Sequence, residues 1–291
     1  MLNSLKKRLK RYLRPKLANL QSNLLKRLLG DHVIGITCET SNGRLTVGPY
    51  DMVVGKSLRQ TGEYDRAKLE LLGGLINERS SVLVVGAHVG ALLVPLAKHC
   101  HDIIGYEANP TTYKLLEINT TLNKLNNVSL HNLAAGEADG TIEFWTNDVN
   151  TGGSKRKPKI FDDRLNLHSV NKVTVDMVAL DQHLRPRPLD LVVMDIEGSE
   201  FYALKGMQKL LSTCKHLEVE FIPSHLKYLA GVEAKDFLDL VSPHFRYLYN
   251  ESDQTVVEKP EFLEYLNELE SSNRGTDLLF SKDQLIRGHL E

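Results

Sequence analysis

The sequence predicts an α/β protein built on a doubly wound, mostly parallel sheet. Val82–Val85 and Leu189–Asp195 are short, largely continuous β-type apolar runs, as strands are when helices cover both faces of a parallel sheet. Such runs alternate along the chain with stretches of helical spacing. Both also end in residues suited to a tight strand-to-helix turn, Gly86-Ala87-His88-Val89-Gly90 after the first and Asp195-Ile196-Glu197-Gly198-Ser199-Glu200 after the second.

Taken in order, residues 1–30 carry nine lysines and arginines and no acid, leaving 27 basic against 37 acidic residues in the remainder, a balance of −10. Leu2, Leu5, Leu9 and Leu13, then Leu17, Leu20, Leu24 and Leu28, recur at helical spacing, with Pro15 expected to separate two helices. This basic amphipathic segment reads as a tail that lies on an anionic membrane surface through residues 1–29, that docks on its own domain or a partner subunit, or that serves as a presequence. Ile34–Cys38 and Arg44–Val47 flank Ser41-Asn42-Gly43 as a hairpin. A helix follows at Glu63–Ile76, with Ala67, Leu71, Leu72 and Leu75 on its apolar side.

The alternating part reads as a strand at 82–86, a helix at about 90–100, a strand at 103–106, a helix at 110–125 and a strand at 128–133. Thr141–Thr146 adds a strand after the Asp139-Gly140 turn. The polar stretch 147–169 is a long loop, either a solvated insertion or an active-site lid. Val173–Ala179 and Leu189–Asp195 are strands, the second followed by a helix through Leu211. Leu217–Phe221 is a strand, Glu233–Val241 a helix, and Phe245–Tyr249 and Asp277–Phe280 the closing strands. The expected organisation is a helical tail over 1–30 and one domain over 31–291, its core spanning about 62–283.

Composition narrows the class. At 291 residues and 42% hydrophobic, the chain can bury one large core. Cys38, Cys100 and Cys214 are widely spaced and odd in number, which argues against a disulfide framework and a zinc site. No apolar run approaches the ~18 residues of a membrane span, and no signal-peptide core is present. The expected location is cytoplasmic, with peripheral membrane attachment the alternative that the tail leaves open.

Ligands of such sheets sit outside the carboxyl ends of the strands. Gly86, Ala87, His88, Gly90, Glu107, Asp195 and Glu220 all fall at that edge. A dinucleotide fingerprint needs glycine where His88 and Ala91 stand. The surviving pair, Gly86 and Gly90, suits adenosylmethionine, which has a ribose for Glu107 and an amino-acid end for the Gly86–Gly90 turn and Asp195. A tight turn with no ligand is the competing reading. Acids in a first helical turn ordinarily stabilise it, which explains Glu200 but not Asp195 at the tip of a buried strand. Glu218 and Glu220 share one face of their strand. Glu220 is expected to face the pocket, and Glu218 to be paired or near the strand start. His225 reads as an ordinary loop histidine.

The order of these motifs resembles the FkbM-type family of S-adenosylmethionine-dependent methyltransferases. The resemblance rests on Val82–Gly90, Gly105-Tyr106-Glu107-Ala108-Asn109-Pro110, the run from Leu189 through Asp195-Ile196-Glu197-Gly198-Ser199-Glu200, Leu204-Lys205-Gly206, Leu217–Phe221 and Asp277-Leu278-Leu279-Phe280. Weaker similarity runs from Gly62-Glu63-Tyr64 through Asn150-Thr151-Gly152-Gly153-Ser154, and the whole covers roughly residues 45–283. It implies a seven-stranded, Rossmann-like class I methyltransferase sheet with one antiparallel edge strand. It also implies O-methylation of a hydroxyl on a saccharide, glycolipid or natural product. Val84, His88 and Ala108 depart from the Asp, Asn and Pro usual in the family.

Methyl transfer in line from a sulfonium needs no metal, and a base beside the hydroxyl adds ~10²–10⁴-fold. Glu200, Glu220 and Glu197 are the expected candidates for that base, with Asp195 beside them and His88 and His225 outside the set. The expected partners are a small-molecule or glycan acceptor and no nucleic acid. A catalytically silent binding protein, suggested by Val84 and His88, and an NAD-dependent oxidoreductase remain the alternatives.

Overall fold

The computed structural model describes residues 2–162, 170–185 and 187–284, with side chains from residue 15 onward. The chain opens with α1 (Leu2–Leu29), the strands β1 (Ile36–Thr40) and β2 (Gly43–Val47), and helices α2 (Val54–Thr61) and α3 (Arg66–Gly74). β3 (Ser81–Val85), α4 (Leu93–Ala97), β4 (Asp102–Tyr106), α5 (Pro110–Leu122) and β5 (Val128–His131) then alternate. Four strands follow, β6 (Ala134–Ala135), β7 (Gly140–Thr146), β8 (Lys155–Arg156) and β9 (Asn171–Val178). Next come α6 (Leu180–His183), β10 (Leu189–Met194), α7 (Glu200–Lys205), α8 (Gln208–Thr213) and β11 (Cys214–Phe221). The last elements are α9 (Pro223–His225), α10 (Ala234–Val241), β12 (Tyr247–Asn250), β13 (Thr255–Glu258), α11 (Phe262–Ser271) and β14 (Thr276–Ser281).

Eight strands form the main sheet in the order β13-β12-β14-β11-β10-β3-β4-β5. The five from β11 to β5 are parallel neighbours. The chain winds outward from β3 to β5, returns to β10 beside β3, and winds away on the other side. The topological switch therefore lies between β3 and β10. Along β3, Val82 and Val84 enter one apolar core with Leu93, Leu96, Leu191 and Val193. Leu83 and Val85 enter the other, with Tyr106, Leu204 and Phe221. Burial on both faces is why the strand reads as an unbroken apolar run.

The sheet has eight strands where seven were expected, and two of them run against the rest: β13 at the edge, as expected, and β14 inside the sheet. β14 runs antiparallel between β11 and β12, with Phe280 opposite both Leu217 and Leu248. Leu278, Leu279 and Phe280 are at most 2% exposed, and three consecutive apolar residues require cover on both faces. β13, antiparallel to β12 and with Val256 and Glu258 exposed, forms that edge, where charge discourages further pairing. The strands expected at 141–146 and 173–179 leave the main sheet. They form a separate four-stranded sheet in the order β6-β9-β7-β8, which walls one side of the site.

Local chemistry explains the boundaries. α5 begins where Asn109 accepts a hydrogen bond from Thr111 N at 3.0 Å with Pro110 in the first turn. α10 begins with a reciprocal cap between Glu233 and Asp236. Asn119 on α5 accepts from Thr46 N at 2.6 Å and donates to Val89 O at 2.7 Å, tying the β1–β2 hairpin to the turn after β3. Pro15 does not divide the tail, because α1 continues through it. A proline there removes one backbone bond, while the leucine spacing keeps its phase on both sides. In α3, Ala67 is exposed and Lys68 is buried, the reverse of the apolar-side expectation. Lys68 meets Glu218 on β11 and Asp277 on β14, each at 2.8 Å. Glu218 is thus paired, in the middle of its strand.

Candidate functional site

The carboxyl ends of β3 and β10 meet at the switch point, where such sheets bind ligands. Asp195 N donates to Val85 O at 3.0 Å, and Gly86 N to Tyr106 O at 2.9 Å. Gly86 has φ +91°, and a Cβ there would stand 1.9 Å from Asp195 O. Only glycine lets the two strand ends close on each other. Above them opens a cleft with about 1080 Å³ of empty space, its mouth included, lined by Gly86, Ala87, His88, Glu107, Asp195 and Ile196. Leu133, Ala134, Ile142 and Phe144 supply an apolar wall, the last two from β7. Thr151, Gly152, Ser154 and Arg156 close it from the 147–169 stretch, of which residues 163–169 lie outside the described residues.

Glu107, at the tip of β4, is buried. Its carboxylate accepts from His88 N and Asn109 N, each at 2.8 Å. It therefore holds the glycine turn and keeps lone pairs for a ligand. Burial raises its pKa to about 7 despite both backbone bonds. His88 takes φ +50°, a left-handed conformation that glycine would adopt without cost. Its Nε2 stands 2.7 Å from the Thr151 hydroxyl, which in turn donates to Asp51. With the hydroxyl proton given to Asp51, His88 Nε2–H donates to the hydroxyl oxygen. Burial holds His88 below its usual range, as a neutral ring. The imidazole is thus committed to the loop at 151, while the residue's backbone serves the turn. Val84 is buried between Gly105 and Val193 as part of the floor.

The acids after β10 and on β11 converge. Ligand oxygens of Asp195, Glu200 and Glu220 lie within 4.8 Å of one another, as do those of Glu197 and Glu220 with a ring nitrogen of His225. Glu197 (φ +53°) and Gly198 (φ +94°) make a left-handed turn, and a side chain at 198 would strike Leu229 at 2.2 Å. The turn carries Glu197 to Lys155 Nζ at 3.2 Å and to His225 Nε2 at 3.8 Å. Glu200 is only 3% exposed and accepts from Ile196 N at 3.0 Å, so it closes the turn from beneath. Glu220 Oε2 faces His225 Nδ1 at 3.7 Å, and both atoms are buried with no hydrogen-bond partner among the described residues.

Burial dominates the electrostatics here. It raises Asp195 to about 7, reinforced by Glu197 and opposed by Lys68, and raises Glu200 to about 8 against its backbone bonds. It also pushes Glu220 well above the carboxylate range, with Asp195 and Glu197 adding to the rise. His225 falls to about 4, from burial and the neighbouring Lys155. His225 is therefore no ordinary loop histidine but a neutral ring inside an acidic cluster. Lys155, expected in a solvated loop, is buried there and supplies its cation. Asp51, Lys68 and Lys155 escaped the sequence reading as site residues, because pairings between positions so far apart in the chain leave no periodic trace.

The residues present fit adenosylmethionine. Its two positive centres suit a floor carrying Asp195 and Glu197, its ribose the spare lone pairs of Glu107, and its base the apolar wall. Among solved structures, a methyltransferase FkbM from Methylobacillus flagellatus KT aligns with a TM-score of 0.42 at 17% identity, over 75% of this chain and 48% of that one. The present chain thus spans about half the length of that protein. A putative methyltransferase from Streptococcus mutans in complex with SAH gives 0.43 at 10% identity, over 74% and 94%. The tRNA m1G37 methyltransferase of M. jannaschii gives 0.43 at 12%, over 88% and 59%. None of the curated proteins matches the chain. A family model described as the methyltransferase FkbM domain matches residues 85–269.

Proposed function

The chain belongs to the methyltransferase FkbM domain family, and from that premise we propose that it methylates a hydroxyl of a saccharide, glycolipid or related small molecule. Adenosylmethionine, when bound, supplies the methyl group. Glu107 holds the ribose and the glycine turn together, and Asp195 holds the amino-acid end. The apolar wall and the 151–156 segment exclude water and hold donor and acceptor in line, an arrangement that can supply ~7–11 kcal/mol.

The observation that carries the reading is Glu220. Its free Oε2, beside neutral His225 and next to Asp195, can take the hydroxyl proton. Burial and the neighbouring acids raise its pKa, which makes the ionised carboxylate a stronger base. Glu197, held by Lys155, lines the same cluster, and Glu200 positions the turn. The rest of the chain, with its balance of −10 over residues 31–291, disfavours a polyanionic acceptor such as RNA. Glu220→Gln keeps the shape and removes the basicity. It is expected to lower turnover of a methyl-labelled donor on a saccharide acceptor by ~10²-fold or more, with donor affinity nearly unchanged. Wild-type turnover in that variant would remove Glu220 from the role.

A further inference from the structure

Going beyond the reaction itself, we propose that α1 seats the protein on an anionic lipid surface through an outward row of leucines. Leu17, Leu20, Leu24 and Leu28 are 54%, 70%, 57% and 71% exposed. At ~100° per residue they share an arc of about 80°. The opposite side is the docked one. Ser22 is 1% exposed, and Lys26 reaches Asp148 at 3.7 Å and lies over the Tyr50 ring at 5.2 Å. Lys56 donates to Gln21 at 3.1 Å, and the Tyr50 hydroxyl donates to Gly30 O. The domain therefore fixes the helix and leaves its leucines pointing away. The loop that receives Lys26 continues into Thr151 at the cleft, so α1 is anchored beside the site.

Charge decides the occupant. Residues 1–30 hold nine basic residues and no acid, so two such segments would repel each other. The spacing also departs from a coiled-coil seam. After Leu17, Leu20 and Leu24, a heptad needs an apolar residue at 27, where Arg27 stands. A nucleic acid would satisfy the cations and leave the leucines in water. A surface with anionic headgroups over an acyl boundary satisfies both. No helix among the described residues is long and apolar enough to cross a membrane, which suits a helix lying in the interface.

The test is cosedimentation of the full-length protein with phosphatidylcholine vesicles, with and without phosphatidylserine. Binding is expected to require phosphatidylserine and to fall as salt is raised. It is also expected to weaken by about tenfold or more in L20S/L24S/L28S, whose exposed positions leave the melting curve unchanged. K6Q/K7Q/K10Q is expected to weaken binding as well, which tests the charge without touching the leucines. Vesicle binding that persists in the leucine variant would overturn the proposal. So would a wild-type dimer that the leucine variant dissolves, without vesicle binding. Binding of a labelled RNA with no vesicle binding would overturn it too.

Discussion

Glu107 carries the heaviest load of any single residue at the site. It stitches the turn after β3 to the start of α5 through two 2.8 Å bonds and still faces the cleft. Glu107→Gln turns one acceptor oxygen into a donor that opposes a backbone N–H. Removing charge-assisted bonds of about 1.5–3 kcal/mol raises the dissociation constant for adenosylmethionine at least tenfold. Calorimetric titration of the folded variant checks it, and unchanged affinity would detach Glu107 from the ribose. At this scale the sequence was partly legible. Gly86, Glu107 and Asp195 announce themselves because each ends an apolar run at a turn. His225 and Lys155 do not, because their meaning depends on Glu197 and Glu220, which the fold brings from elsewhere in the chain.

Among elements, α3 is the piece whose placement is most specific. Lys68 is buried against Glu218 and Asp277 and pins the helix across β11 and β14. Burial opposes its charge, but the two carboxylates outweigh it and hold its pKa above the usual value. Lys68→Met leaves Glu218 unpaired in the interior, where burial already raises its pKa to about 7 against the pull of the lysine. Breaking a buried pair from one side costs roughly 3–5 kcal/mol, measurable by urea denaturation. Lys68→Met/Glu218→Leu is expected to recover much of that loss, and a double variant no better than the single would show that Asp277 alone holds the lysine. Periodicity located β3, β4, β10 and α5 to within a few residues, because each buries a continuous face. It missed α2, β13 and α11, and it could not tell that β7 and β9 leave the main sheet, since alternation reports burial and not the partner strand.

For the whole molecule, the acidic cleft couples stability to pH. Glu107, Asp195 and Glu200 have folded pKa values of about 7, 7 and 8, against roughly 4 when unfolded. Between about pH 6.5 and 8.5 the folded state keeps protons that the unfolded state has lost, so stability falls as pH rises. Unfolded histidine still titrates at about 6.5, so His88 and His225, held low by burial, oppose the trend only weakly and only toward the lower end of that window. A loss of even ~2 kcal/mol lowers the melting temperature by on the order of 4 °C. Scanning calorimetry in the absence of ligand is expected to show this decline, and a smaller one in Glu200→Gln. A melting temperature that climbs over that window would mean the cluster is ionised in the fold.

The architecture, the glycine turn and the acidic cluster meet in one claim, that this cleft passes a methyl group to a hydroxyl. The most direct measurement is label transfer from methyl-labelled adenosylmethionine to a panel of saccharides, glycolipids and RNAs, with Glu220→Gln alongside. The account predicts base-stable label on a carbohydrate oxygen, at least ~10²-fold less in the variant. Label on a nucleobase nitrogen would contradict it, as would tight binding of adenosylmethionine with no transfer to any acceptor.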